Sequence, residues 1–278
     1  MSLKFGIRGH DLVTKSNVDE LVKKMKEHDL KYLQLVFPKT FADYSYDSSY
    51  VNNVLNKLNE AGIQVKMLGA YFNPVHSDKK VVDSGVNNFI SNLDISHLFN
   101  ACVGSETGSY NDSPWTYVPK NHTEEGYQET LSIFKKLVEH ADKIEANISV
   151  EAAWGHVIYS PDCLSRFVKD LNSPNVFVTI DLYNLLYPGN FEDRDYIFEK
   201  ALTTFKDKIK IIHLKDGKIV NGKLVQCAPG KGDFHYSFMI QEILKYCPDA
   251  TLIFEGVKED DIDESYSALK TIEKNFSF

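Results

Sequence analysis

The chain has 278 residues, with 43% hydrophobic and 25% charged side chains, 15 Gly and 9 Pro, a composition that supports a sizeable buried core and excludes collagen, coiled coil and disorder. Its 31 basic and 39 acidic residues leave a net charge of −8, which repels a phosphate backbone and argues against nucleic acid as a partner. Cys102, Cys163, Cys227 and Cys247 lie far apart with no Cys-x-x-Cys pair, so they read as reduced thiols rather than a zinc knuckle or redox motif.

Lys4 and Arg8 interrupt the N-terminal apolar residues before a signal-peptide core can form. No uncharged apolar run approaches the roughly 18 residues of a membrane span. A soluble, cytoplasmic protein with no membrane partner is expected.

In chain order, β-rich runs are expected at 3–8, 32–37, 64–71, 101–106, 147–152, 175–181, 208–213 and 251–256. Helical periodicity begins near Asn17, Asp47, Ser84, Thr123, Pro161, Phe191, Phe234 and Asp261. Every strand is followed by a helix, the alternation of βαβ units around a parallel sheet. Strand count and length match one α/β domain over 1–278, a (β/α)₈ TIM barrel; a doubly wound sheet of the same strands is the fallback. Local punctuation agrees. Asn17 or Ser16 can cap the first long helix, Ser160 precedes a proline at a first helical position, and Ala61-Gly62 reads as a glycine C-cap.

The last four barrel strands end in Glu151, Asp181, His213 and Glu255. Side chains alternate along a strand, so these residues share faces with Ser149, Thr179, Ile211 and Ile253, while Val150, Ile180, Ile212 and Phe254 point the other way. The apolar set must pack on the helices, which turns the ionisable set inward at the C-terminal mouth, where active sites of such barrels sit. Three carboxylates repel one another there, and they and the imidazole lose hydration, unless a cation is present. Oxygen and nitrogen donors without thiolate suit one divalent metal ion, Mn²⁺, Mg²⁺, Co²⁺ or Zn²⁺, without choosing among them.

The stretches Ser149-Val150-Glu151, Ile180-Asp181-Leu182-Tyr183-Asn184-Leu185-Leu186, Ile212-His213-Leu214-Lys215-Asp216, Pro229-Gly230-Lys231-Gly232-Asp233 and Ile253-Phe254-Glu255-Gly256 resemble the xylose-isomerase-like TIM barrels. That family includes sugar-phosphate isomerases and epimerases, ketose 3-epimerases, inosose dehydratases and endonuclease IV, and the resemblance spans nearly the whole chain. It implies that Glu151, Asp181, His213 and Glu255 bind one divalent metal and that Glu151 and Glu255 double as acid/base groups. One position departs from the ketose 3-epimerases, which usually carry Asp-x-x-His on the sixth strand. Here the spacing gives Asp181 and Asn184; an amide can hydrogen-bond but cannot act as an acid or a cation, so Asn184 is either a substrate contact or a residue that helps the chain turn after the strand.

The implied reaction is isomerisation or epimerisation of a small sugar or sugar phosphate. A metal-polarised carbonyl acidifies a neighbouring C–H, one glutamate abstracts the proton to give an ene-diolate, and return from the other glutamate inverts the centre; return to the adjacent carbon isomerises. Further candidate substrate contacts are Arg8 and His10 after the first strand, Glu106 at the end of the fourth, and Trp154 and His156 just beyond Glu151. The Trp154 indole either stacks on sugar C–H faces or covers the metal. Trp115 and Tyr117 either shield the site or form a subunit contact, which keeps a homo-oligomer open.

After the seventh strand, Asn221-Gly222 between β-prone runs signals a hairpin over the mouth. It leads to Pro229-Gly230-Lys231-Gly232, whose amides and Lys231 either hold an anionic group of the substrate or only permit a tight turn. Two reactions compete with the isomerase reading. An endonuclease IV-like phosphodiesterase needs several further histidines, for which Asp233-Phe234-His235 offers only a superficial match. An inosose-dehydratase-like lyase would use the same ligands and expel a hydroxyl. A sugar-binding barrel without turnover would leave all four ligand residues purposeless.

Overall fold

A computed structural model describes residues 2–276. Eight parallel strands, β1 (Lys4–Arg8), β2 (Tyr32–Leu35), β3 (Gln64–Gly69), β4 (Cys102–Glu106), β5 (Ile148–Glu151), β6 (Val176–Asp181), β7 (Ile209–Leu214) and, after a hairpin of β8 (Asp216–Val220) and β9 (Lys223–Cys227), β10 (Thr251–Phe254), close into a barrel in which β1 pairs with both β2 and β10. Each strand buries both faces, as parallel barrels require. Val150, Ile180, Ile212 and Phe254 face the helices and join the main core, while Met67, Cys102, Ile211 and Ile253 fill the barrel interior. Ser149 and Thr179 also point inward, where their hydroxyls bond at 2.8 Å. Gly104 leaves the space that the Met67 side chain fills inside: a Cβ there would lie 1.8 Å from Met67 Cε.

The long helices are Val18–Glu27, Ser48–Glu60, Lys79–Phe99, Glu124–Lys143, Pro161–Leu171, Arg194–Phe205, Tyr236–Tyr246 and Glu259–Lys274. The expected caps form. Asn17 accepts from the Glu20 amide, Ser160 accepts from the Cys163 amide ahead of Pro161, and Gly62 follows the Ala61 C-cap at φ 71°. The third helix begins at Lys79 rather than Ser84, because the Asp78 carboxylate caps the Lys80 amide and the polar residues behind it need no apolar periodicity to be helical. Three strands end in single helical turns, Gly9–Leu12, Phe37–Thr40 and Leu182–Leu185. The second of these shortens the β run expected at 32–37, since Pro38 suits a first helical turn. Among the described residues, no helix is long and apolar enough to cross a membrane.

Candidate active site

Register brings the ionisable strand ends together. Asp181 and Ile253 are the cross-strand partners of His213, and Glu106 is the partner of Glu151. Neighbours at matching register project the same way, so the side chains converge at the C-terminal mouth. Glu151, Asp181 and His213 each offer a donor atom within 4.8 Å of the others, and all three residues are buried. Glu255 lies just past β10 and stands outside that closest group of three; its Oε2 is 2.8 Å from His213 Nδ1. Glu151 Oε2 and Asp181 Oδ2 lie 3.3 and 3.7 Å from the same nitrogen.

The hydrogen-bond pattern decides which imidazole nitrogen faces this cluster. His213 Nε2 lies 2.7 Å from Gln34 Oε1, which can only accept, so Nε2 carries a proton. Gln34 Nε2 in turn donates to the Tyr71 hydroxyl at 2.7 Å. His213 Nδ1, Asp181 Oδ2 and Glu255 Oε2 are buried without a well-aligned hydrogen bond, although the Lys215 ammonium lies 2.8 Å from Asp181 Oδ2. Orphaned buried donor and acceptor atoms cost free energy that a cation removes. Three carboxylates, Glu151, Asp181 and Glu255, meet at this point; Lys215 lies 2.8 Å from Asp181 and 2.9 Å from Glu255, and Arg8 is shared between Asp11 and Glu255. The donor set fits a divalent metal held by Glu151, Asp181 and His213, with Glu255 beside it.

The two glutamates are electrostatically unlike. Burial pushes the Glu151 carboxyl up to about 7 against the pull of His213, and Glu106 and Asp181 add to the rise. Glu255 is partly buried, but His213, Lys215 and Arg8 outweigh desolvation and hold it well below the usual carboxylate range. Arg8 Nη1 donates to Glu255 Oε1 at 2.7 Å and Lys215 Nζ lies 2.9 Å from the same oxygen. Burial lowers the basicity of His213, yet Glu255 and Glu151 raise it well above the ordinary imidazole value. Burial, with Glu151 and Glu255 adding, keeps the Tyr71 phenol protonated, so its O–H remains a donor.

Asn184 is tied into the same cluster. Its Nδ2 donates to Glu151 Oε1 at 2.7 Å and lies 3.4 Å from Glu106 Oε1, while its Oδ1 accepts from Lys215 at 3.2 Å. Its amide N–H also bonds Asp181 Oδ1, so the turn after β6 and the orientation of Asp181 are set together. Asn184, Glu106, Trp154 and His156 line a cavity of about 690 Å³ at the barrel mouth, to which the hairpin adds Lys223 and Leu224. Asn221 (φ 51°) and Gly222 (φ 74°) form the hairpin turn that the sequence signals. The Trp154 ring packs on Tyr187 at 4.2 Å and on Tyr117 at 4.7 Å between centroids. His156 Nδ1 is buried without a hydrogen-bond partner, 3.9 Å from Glu106 Oε1.

The remaining candidates separate. Arg8 joins the cluster as the partner of Glu255. His10 is half-buried, and burial followed by Arg8 and Lys39 pushes it down to about 3, so it is neutral. Lys231 does not join: its Nζ lies 2.6 Å from Asp261 and 2.8 Å from Glu264. The turn around it is folded onto Asp216, whose carboxylate accepts from the amides of Gly217, Gly230, Gly232 and Phe234 at 2.7–3.0 Å. A Cβ on Gly232 would lie 2.2 Å from Asp216 Oδ1, which is why glycine stands there. His235 pairs with Asp195 at 2.6 Å and is likewise no part of the cluster. Sequence reasoning missed Gln34 and Lys215 as site residues. Gln34 is a lone polar side chain within an apolar strand, and Lys215 lies two residues beyond His213 and so shares its face.

Residues 22–272 match the profile of the xylose isomerase-like TIM barrel family. No curated protein matches the chain in sequence. Among solved structures, 3-keto-D-glucoside 4-epimerase from E. coli is 13% identical, with a TM-score of 0.76 over 97% of this chain and 100% of that one. A xylose isomerase-like TIM barrel protein from Mycobacterium smegmatis in complex with magnesium is also 13% identical (TM-score 0.75; 99% and 97% covered). The IOLI protein with a bound zinc atom is 14% identical (TM-score 0.75; 99% of both chains covered). At such identities the likeness is one of fold.

Proposed function

Since the chain belongs to the xylose isomerase-like TIM barrel family, we propose that it is a divalent-metal-dependent isomerase or epimerase of a sugar or sugar phosphate, with Glu151 and Glu255 as its proton-transfer groups. The observation that carries this reading is the convergence of Glu151, Asp181 and His213 on one buried point, with the Glu255 carboxylate against the same imidazole. A bound cation would polarise a carbonyl and its neighbouring hydroxyl, lowering the cost of removing the adjacent proton. Glu255, held ionised by Arg8 and Lys215, is the base in one direction, and Glu151 is the second glutamate, which returns the proton. Asn184 fixes the Glu151 carboxylate, and the Tyr71 hydroxyl stands ready to donate to a developing oxyanion. The roles exchange in the reverse direction.

The E. coli epimerase, an L-ribulose 3-epimerase and a D-psicose 3-epimerase share this fold, so the fold accommodates the proposed reaction class. The multi-zinc phosphodiesterase alternative is disfavoured, because the metal-ligating cluster found among the described residues contains one histidine. The test is incubation with ketoses and ketose phosphates in deuterated water with Mn²⁺, Mg²⁺, Co²⁺ or Zn²⁺, following label into C–H positions beside the carbonyl. Glu151→Gln and Glu255→Gln should each lower exchange by at least about a hundredfold. A fully active Glu255→Gln protein would remove the two-glutamate scheme.

A further inference from the structure

We propose that the N-terminal end of the barrel, opposite the metal-ligating cluster, carries a second ligand site, which binds a phosphate group through Lys4, Lys66 and Lys210. A cavity of about 210 Å³ opens there, lined by these lysines and by Asn100, Asn147 and Thr251. Lys4 opens β1, Lys66 lies in β3 and Lys210 in β7, so strands remote in the chain deliver the three ammoniums to one place. Lys4 shares the inward face of its strand with Arg8 by ordinary alternation.

The other two lysines arrive by a different device. Against β2, Leu33 pairs with Val65 and Gln34 with Met67; against β6, Val178 pairs with Ile209 and Thr179 with Ile211. Each register shift skips one residue, Lys66 in one strand and Lys210 in the other. An extra residue of this kind is left out of the ladder and its side chain is re-aimed. In both strands the residue before the lysine packs with the helices (Val65, Ile209) and the residue after it fills the barrel interior (Met67, Ile211). Alternation therefore has no place for either lysine, and both irregularities turn their lysine to the same cavity.

The fold itself gains nothing from gathering like charges. The carboxylate lining the cavity is Asp249, whose side chain is 85% exposed and lies 3.8 Å from Lys4. Among the described residues, Lys66 and Lys210 have no carboxylate at ion-pair distance; their ammoniums stand 5.4 Å and 4.1 Å from the Tyr32 and Phe177 ring centres. Burial, with Lys4 adding to it, makes the Lys66 ammonium easier to deprotonate. The neutral donors are unclaimed as well. Thr251 is 3% exposed, yet its hydroxyl has no hydrogen-bond partner among the described residues, and neither do the side-chain amides of Asn100 and Asn147. A tetrahedral dianion answers all of them, since its oxygens accept from ammonium, hydroxyl and amide while its charge offsets the lysines. The volume equals roughly seven waters at about 30 Å³ each, room for a phosphate group and a few waters but not for a nucleotide. Cys102 both lines the cavity and packs with Met67, Ile211 and Ile253 in the barrel interior, so this layer separates the anion from the chemistry at the other mouth.

The test is a calorimetric titration of the full chain, freed of metal by a chelator, with sodium phosphate at constant ionic strength held by sodium chloride. Phosphate should bind with a Kd below about 1 mM, and Lys66→Met and Lys210→Met should each weaken it at least about tenfold. Thr251→Val, which keeps the side-chain shape, should weaken it about threefold or more. Lys231→Met, at the opposite mouth, should leave it unchanged. Should one lysine variant fail to fold, the other decides. No binding beyond that of chloride, an affinity untouched in the folded Lys66 or Lys210 variant, or a loss in Lys231→Met overturns the proposal. Glycerol 3-phosphate titrated in parallel separates the sources within a supported site: tighter binding than inorganic phosphate marks a phosphomonoester as the ligand, and equal or weaker binding marks the free ion.

Discussion

His213 carries a choice of proton that its neighbours make for it. Gln34 accepts from Nε2 and leaves Nδ1 facing the carboxylates, the arrangement in which an outer partner fixes a metal-binding tautomer. Gln34→Leu should therefore weaken Mn²⁺ or Zn²⁺ binding about 10–100-fold in a calorimetric titration; unchanged affinity would show that Gln34 does not orient the imidazole. His10 behaves in the opposite sense. Pushed down to about 3 by burial and then by Arg8 and Lys39, it stays neutral in the fold, while an unfolded histidine protonates near 6.5. The unfolded chain therefore holds the extra proton between these values, and the stability contribution of His10, complete above about 6.5, is lost as pH falls. In chelator-treated protein, urea unfolding at pH 7 and pH 5 should show the parent losing about 1–2 kcal/mol more than His10→Gln. Equal losses would show that His10 does not carry this linkage.

At the scale of elements, strand ends do the chemistry and the connections hold them. Period-two alternation places Glu151, Asp181 and His213 on the inner face before any packing is known, because Val150, Ile180 and Ile212 need the helices. The turn after the hairpin was legible only as a turn. Whether its amides face a ligand or a side chain depends on Asp216, which a tertiary approach delivers and which four backbone amides bind. Asp216→Ala leaves the buried amides of Gly217 and Phe234 unpaired and takes the acceptor from those of Gly230 and Gly232, and should cost about 3 kcal/mol in urea unfolding. Hydrogen exchange at Gly230, Gly232 and Phe234 should accelerate selectively; retained protection there would show that another acceptor replaces the carboxylate. Similarly, Asn184 reads in the sequence as either a turn residue or a substrate contact. In the fold it closes the turn with its backbone and binds Glu151 with its side chain.

For the whole molecule, the cation and the fold are coupled. A metal that binds only the folded state stabilises it by about 2.7 kcal/mol at a hundredfold excess over its Kd, so chelation should lower Tm by several degrees and Mn²⁺, Mg²⁺, Co²⁺ or Zn²⁺ should restore it. Glu151, with His213, contributes to the pH dependence. Without a cation its carboxyl, raised to about 7, takes up a proton as pH falls through that value, and this proton competes with the metal. The Tm gain should accordingly be larger at pH 8 than at pH 6. A chelator-insensitive Tm at pH 8 would argue that the cluster holds no metal.

Barrel and ligand strands were readable from sequence because the burial pattern of a two-sided parallel strand is local: apolar residues every second position, a polar residue at the last inward one. The expected strands all form, and Asn17, Ser160 and Gly62 act at their helix ends through contacts within a few residues. Local pattern also accounts for which residues reach the mouth. What only the tertiary structure decided is which charges compensate one another there. Lys215 between Asp181 and Glu255, Arg8 on Glu255, Gln34 behind His213 and Lys231 turned toward Asp261 all depend on distances between segments remote in the chain. Electrostatic and hydrogen-bond energies fall steeply with separation and misalignment, and a one-dimensional sequence does not contain those separations.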